Sequence, residues 1–120
     1  MVPTQANIVI LGGDEPVGRS LEALLEAAGY RAWFVSEDKV DKVGELLADF
    51  QLLIVAPALD SEFQKFFLER LSNEQAIGIP ILELLPVNGE QLLRGCIVLW
   101  PCSYETLKRA IDFILLAATE

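Results

Sequence analysis

The feature that most constrains the fold is a short apolar run, Leu-Leu-Ile-Val-Ala-Pro, which occupies Leu52 to Pro57. No polar residue alternates with the apolar ones, as it would in a strand with one face in water. Such a strand is typical of the centre of a parallel sheet that helices cover on both faces. Ligands of open α/β sheets bind beyond the carboxyl ends of the strands, so the end of this run matters most for function. It consists of Ala56 and Pro57, whose side chains cannot act as an acid, a base, a nucleophile or a metal ligand.

The composition is that of one compact domain, which we place at residues 1–120. Of the 120 residues, 52% are hydrophobic and 22% are charged, so the chain can bury a core of its own. The net charge is -9 and the basic residues are scattered, which argues against direct binding to DNA or RNA. The sequence shows no apolar run of membrane-spanning length and no signal-peptide pattern at its start. We therefore expect a cytoplasmic protein without nucleic-acid or membrane partners.

Five strands alternate with helical segments along the sequence. The helices after the first and fifth strands are the best defined: Pro16 opens the first and Gly29 ends it, whereas Ser103 caps the last one. Between the fourth and fifth strands there is room only for a short helix. Strict alternation predicts a three-layer α/β fold, a doubly wound parallel sheet of strand order 2-1-3-4-5. The predicted strands are Asn7–Leu11, Arg31–Val35, Leu52–Pro57, Ile81–Leu85 and Cys96–Trp100.

The segment from Ile8 to Tyr30 resembles the receiver domain of two-component response regulators. In that family a strand is followed by Asp-Asp-Glu-Pro and by a helix that ends in Gly-Tyr; here the acidic motif reads Gly-Asp-Glu-Pro and the helix ends in Gly29-Tyr30. The resemblance covers the whole chain, because the third strand, Ile-Pro-Ile before the fourth strand and Trp100-Pro101 after the fifth fall where receivers carry their markers. It implies a flavodoxin-like, CheY-like fold and a role in bacterial two-component signalling or a phosphorelay.

The same resemblance implies a phosphoryl-transfer site, and this sequence departs from it. In receivers a carboxylate at the end of the third strand accepts the phosphoryl group, and an acidic pair holds Mg²⁺. A hydroxyl residue ending the fourth strand and a lysine ending the fifth bind the phosphoryl oxygens. We therefore interpret the chain as a degenerate pseudo-receiver, not an enzyme, with neither metal nor cofactor. The matching positions are Gly13 and Asp14 for the acidic pair, Ala56 for the acceptor, Leu85 for the hydroxyl, Trp100 for the lysine and Ile97 for the switch aromatic of the fifth strand.

Other interpretations of these residues stay open. A shifted alignment would make Asp49 or Asp60 the acceptor, although no lysine would then precede Pro101. Asp14 and Glu15 also stabilise the first turn of a helix through its dipole, whether or not they meet a metal. The run Gly-Gly-Asp-Glu-Pro is similar to the Gly-Gly-Asp-Glu-Phe signature of diguanylate cyclases, but that signature belongs in a β-hairpin of a longer domain.

The alternative function is that of a small Rossmann-like nucleotide-binding domain. Gly12, Gly13 and Gly18, with Glu37 after the second strand, outline such a site. Their spacing is not Gly-x-Gly-x-x-Gly, and the two acidic residues that follow Gly13 would repel a pyrophosphate at the helix N-terminus. Stabilisation by nucleotides in a thermal-shift screen would favour this alternative.

The sequence argues against two other kinds of site. It contains no histidine, which removes the usual catalytic triads and most zinc sites. Cys96 and Cys102 fall at opposite ends of a predicted strand, too far apart for a disulfide. We expect both to be ordinary thiols, buried or half-buried.

A partner-binding surface is predicted near the end of the sequence. The segment between Leu85 and Trp100 is shorter than the resemblance implies, so the fourth helix should be shortened or lost, which uncovers a flank of the sheet that signals in receivers. The last helix is apolar almost all round, and such a helix is normally covered on both sides. We predict a homodimer or a docked protein partner, and no small-molecule substrate. The surface consists of Leu92, Leu93, Val98, Phe113 and Leu116.

Overall fold

The structure is a computed structural model, and it describes residues 6–11, 15–36, 50–56, 80–86 and 96–118. The predictions of a second and a third helix and of a shortened fourth one concern residues outside these ranges. The third strand ends earlier than predicted, at Val55, and the fourth extends one residue further, to Pro86. In chain order the elements are β1 (Asn7–Leu11), α1 (Glu15–Ala27), β2 (Arg31–Val35), β3 (Leu52–Val55), β4 (Ile81–Pro86), β5 (Cys96–Trp100) and α2 (Tyr104–Ala118).

The five strands form one sheet in the order β2-β1-β3-β4-β5. Every neighbouring pair is parallel. This confirms the predicted strand order and the flavodoxin-like α/β architecture. Its cause lies in the alternation of strands and helices, since a right-handed crossover returns each new strand parallel to the one before it.

The two helices and one face of the sheet share a hydrophobic core. β3 is buried along its whole length, as its lack of polar alternation predicts. Removing such side chains from water contributes about 1.5–3 kcal/mol each, so this core dominates the stability of the described part of the chain. No helix within the described ranges is long and apolar enough to cross a membrane. The core includes Ile8, Ile10, Leu21, Leu25, Leu52, Ile54, Leu82, Leu84, Val98, Leu107, Ile111, Ile114 and Leu115.

Local turn chemistry sets the ends of both helices. Gly29 has a φ of 101°, a backbone conformation that glycine adopts without strain. The N–H of Tyr30 donates to the Leu25 carbonyl at 3.1 Å, so α1 ends in a Schellman motif, as the Gly-Tyr pair indicates. At the start of α2, Ser103 Oγ accepts a hydrogen bond from the N–H of Thr106 at 3.1 Å, which confirms Ser103 as the cap.

Candidate functional site

The carboxyl ends of the parallel strands meet at one edge of the sheet, which we call the carboxyl edge. β3 reaches it just before Ala56, whose N–H donates to the Leu11 carbonyl at the end of β1, at 2.7 Å. Pro86 of β4 and Trp100 of β5 are partners in register at the same edge. Ala56, Leu85 and Trp100 therefore lie at or next to the carboxyl ends of three neighbouring strands. Gly13 and Asp14 lie outside the described residues.

Ala56 closes the end of the central strand. It is only 2% exposed and belongs to the hydrophobic core. A methyl group has no lone pair with which to accept a phosphoryl group and no charge to attract Mg²⁺. The position at which the resemblance expects a reactive carboxylate is thus an ordinary core position.

The two neighbouring positions are apolar as well. Leu85 is half-buried at the end of β4. Trp100 is half-buried and packs against the core, and its peptide bond to Pro101 is cis. Neither side chain can coordinate phosphoryl oxygens as a hydroxyl or an ammonium group would. The described part of the carboxyl edge therefore offers hydrocarbon and an indole where a receiver offers polar groups.

A carboxyl group that the sequence analysis missed lies inside the sheet. Glu83 is in β4, in register with Val55 on one side and Ile97 on the other, and is 3% exposed. Side chains alternate along a strand, so Glu83 points to the face opposite Leu82, which packs in the helix-covered core. The signal was a single charged residue in an otherwise apolar strand, where buried acidic side chains are uncommon.

Glu15 lies in the first turn of α1. Its carboxylate is 3.7 Å from Nε of Arg19, one turn further along, and both side chains are exposed. A carboxylate in this position stabilises the helix through the dipole and through the ion pair. Among the described residues, no three acidic or cysteine side chains gather closely enough to hold a metal ion.

Two residues of the predicted partner surface are exposed. Phe113 is 70% exposed and Leu116 is 40% exposed, on the side of α2 away from the core. The ion pair between Glu105 and Arg109, with an N–O distance of 3.0 Å, lies on the same helix. Leu92 and Leu93 fall outside the described residues. We call the exposed side of α2, made of Phe113, Leu116 and Ala117, the α2 outer face.

The prediction that Val98 lines this surface is wrong. Val98 is 8% exposed and packs in the core with the buried residues of α2. Successive side chains of a strand point to opposite faces, so its neighbours are exposed instead: Ile97 by 38% and Leu99 by 63%. A check of the alternation in β5 against the inward stripe of α2 would have found this.

The two cysteines are free thiols. Cys102 is half-buried as expected, and burial raises the pKa of its thiol. The same expectation for Cys96 is wrong, since Cys96 is exposed at the start of β5.

Comparisons of the sequence and of the fold give different results. A scan against protein-family models and a search of the curated proteins find no match. A two-component response regulator from Clostridium difficile has a similar structure, with a TM-score of 0.76 at 18% identity, covering 97% of this chain and 100% of that one. A CheY-like receiver domain protein from Methanospirillum hungatei JF-1 gives 0.75 at 17%, covering 98% of both chains. A receiver domain protein from Clostridium thermocellum gives 0.69 at 13%, covering 95% and 97%.

These comparisons agree with the five-stranded parallel fold. The fold is that of response regulator receiver domains, and the matches cover nearly the whole chain. The expected fold is thereby confirmed. At such low identity the likeness establishes the fold, and the function has to be argued from the residues.

Proposed function

We propose that the chain is a pseudo-receiver, a receiver-fold domain that acts in two-component-type signalling through protein-protein interaction and without phosphorylation. The observation that supports this most directly is the burial of Ala56, at 2% exposure, at the carboxyl end of β3. This is where the resemblance places the phosphoryl acceptor. The proposal includes the absence of enzymatic activity and of a bound cofactor.

Phosphoryl transfer needs three kinds of group at the carboxyl edge. These are an oxygen nucleophile, a cation to neutralise the transferring oxygens, and donors that hold those oxygens. Ala56 and Leu85 supply none of them, and Trp100 has an indole N–H but neither a nucleophilic oxygen nor a positive charge. Glu83 is the carboxyl group in register with the last residue of β3, but its burial keeps a phosphoryl donor from reaching it.

The test is incubation with acetyl phosphate and Mg²⁺, followed by intact-mass spectrometry. We expect no added mass on the wild-type chain, whereas an unrelated receiver with an intact site gains a phosphoryl group under the same conditions. An adduct would contradict the proposal. Asp49→Asn, Asp60→Asn and Glu83→Gln variants would then identify the acceptor, because the adduct is lost when the reactive carboxylate is replaced.

The surface that we propose for docking is the α2 outer face. Phe113 and Leu116 expose large apolar side chains one turn apart, and exposed apolar groups that cluster on a soluble domain usually mark an interface. The exposed ion pair of Glu105 and Arg109 gives this face a polar border, as interfaces commonly have. The partner is a second copy of the chain or another signalling protein.

Light scattering and far-UV circular dichroism of Phe113→Glu with Leu116→Glu test this surface. If the wild-type chain is a dimer, we expect the double variant to be a folded monomer. Leu24→Glu is the matched control, because Leu24 is 43% exposed on α1 and its replacement should leave the mass unchanged. An unfolded double variant would place the two residues in the core and contradict the proposal. If the wild-type chain is monomeric, the same pair should abolish capture of its partner from a lysate.

A further inference from the structure

β2 is one of the two edge strands of the sheet, and its outer edge is the one away from β1. The N–H of Arg31 points inward and donates to the Ala6 carbonyl at 2.9 Å. Along a strand the N–H groups of successive residues point to opposite sides. The N–H groups of Ala32 and Phe34 therefore point outward, away from β1, where a further strand would pair.

Two carboxylates of α1 occupy these positions. The N–H of Ala32 donates to Oε1 of Glu26 at 3.2 Å, and the N–H of Phe34 donates to Oε2 of Glu22 at 2.7 Å. The spacing fits, because four helical residues rise about 6 Å and two strand residues advance about 6.6 Å. The order is reversed, with the later glutamate on the earlier amide, as expected for a helix that runs antiparallel to its following strand.

Neighbouring side chains hold Glu22 in place. Its other oxygen, Oε1, is 3.3 Å from Nη1 of Arg19, and the Arg19 guanidinium lies 5.4 Å from the centre of the Phe34 ring. Gly18 lets the helix approach this ring, since a Cβ there would lie 2.1 Å from it. The carboxylate, the arginine and the ring thus form a fixed arrangement over the edge.

We propose that Glu22 and Glu26 close the outer edge of β2 against pairing with the β2 strand of a second copy of the chain. An open strand edge is a template for pairing with another chain, and Trp33, Phe34 and Val35 are residues that favour strands. With the carboxylates in place, an incoming strand would have to displace two charge-assisted hydrogen bonds, and its carbonyl oxygens would approach two negative charges.

The first measurement is amide hydrogen exchange by NMR on dilute protein. In the Glu22→Ala, Glu26→Ala double variant, exchange at Ala32 and Phe34 should rise about tenfold, while Arg31, which donates to β1, stays unchanged. The Glu22→Gln, Glu26→Gln variant keeps an oxygen acceptor at each site and should remain protected. Glu15→Ala, on the same helix, removes a carboxylate that pairs with Arg19 and should have no effect.

The second measurement is concentration dependence. The double alanine variant should gain mass in light scattering as its concentration rises, and exchange at Ala32 and Phe34 should then slow again. The wild type and the glutamine variant should show neither change. Far-UV circular dichroism and the Arg31 amide report whether the variant is folded; if it unfolds, the single variants serve in its place.

Three results would overturn the proposal. Unchanged exchange at both amides in the folded alanine variants would mean that the carboxylates do not protect the edge. Faster exchange without self-association at high concentration would mean that the carboxylates protect the amides but are not what prevents strand pairing. Self-association without renewed protection of the two amides would mean that the copies associate through another surface.

Discussion

β2 and β5 lie at opposite edges of the same sheet, and the chain finishes them differently. At β2 the outward N–H groups meet the carboxylates of Glu22 and Glu26. At β5, Ile97 and Leu99 expose apolar side chains by 38% and 63%, and the helix that follows carries the α2 outer face. Occupied N–H groups on one edge disfavour strand pairing, whereas apolar area on the other side favours docking. The contrast supports our proposal that a partner docks on the side of β5 and α2.

The largest expected effect on stability distinguishes the buried side of α2 from its exposed side. Ile111 is fully buried and Phe113 is 70% exposed. Ile111→Ala should lower the free energy of unfolding by about 2–5 kcal/mol, because it removes core contacts and leaves a cavity. Phe113→Ala should change it by no more than about 0.5 kcal/mol. Urea unfolding followed by far-UV circular dichroism measures both; equal losses would show that Phe113 is buried and would remove the apolar side of the contrast.

At the β5 edge, Trp100 and Leu99 form a matched pair. Trp100 is half-buried against the core. Trp100→Lys should therefore lower the free energy of unfolding by about 2 kcal/mol, from loss of roughly half of the ring's burial. Leu99→Lys, at a neighbouring exposed position, should be nearly neutral.

The Trp100→Lys variant also tests the chemistry of the carboxyl edge. A lysine at this position should not make the chain accept a phosphoryl group from acetyl phosphate, because Ala56 still provides no acceptor. A stability equal to that of the wild type would show that Trp100 is exposed and open to a partner.

At the β2 edge, Gly18 tests how closely α1 must approach. The Cβ of Gly18→Ala would lie 2.1 Å from a ring carbon of Phe34, so the ring has to move. We expect a loss of about 1–2 kcal/mol from overpacking, which outweighs the gain of up to about 1 kcal/mol in helix propensity. Ser20→Ala, at an exposed position of the same helix, is the control. Stabilisation by Gly18→Ala would mean that the ring moves freely and does not fix the edge.

The smallest expected effect concerns the hydrogen bond that links Tyr30, just before β2, to Asp112 of α2. The buried Tyr30 hydroxyl donates to Oδ1 of Asp112, whose Oδ2 is 2.7 Å from Nζ of Lys108. Burial is the largest cause that raises the pKa of the Tyr30 hydroxyl, and the hydrogen bond to Asp112 raises this pKa further. In the unfolded chain the tyrosine hydroxyl titrates at about pH 10. The contribution of the protonated Tyr30 hydroxyl to stability is therefore complete below that pH. It is lost as pH rises above it, because the unfolded state then releases a proton that the folded state retains.

Tyr30→Phe should lower the free energy of unfolding by about 1 kcal/mol at pH 8. The difference from the wild type should shrink above about pH 10. Urea unfolding at a series of pH values measures it, and Ser20→Ala, at an exposed position of α1, is the control. A difference that stays constant with pH would show that the Tyr30 proton is not held more tightly in the folded state.

The sequence by itself determined the sheet and the ends of its described helices. An apolar run without alternation, Gly29 after α1 and Ser103 before α2 are local signals, and each acts through residues a few positions away. Strand order followed because alternating strands and helices allow few parallel arrangements. The apolar character of the described part of the carboxyl edge also followed, since Ala56, Leu85 and Trp100 lie at or next to the ends of their strands.

Tertiary structure decided which side chains are available. Val98 is buried and Leu99 exposed because α2 lies on one face of β5, and the exposure of single strand residues depends on that packing rather than on their hydrophobicity. Glu83 is buried on the sheet face opposite the core of α1 and α2, which its charge alone does not predict. Glu22 and Glu26 look like ordinary surface glutamates of an amphipathic helix in the sequence. They accept hydrogen bonds from the β2 edge only when α1 folds back along β2. A hydrogen bond needs a distance and a direction that no pattern of residues specifies.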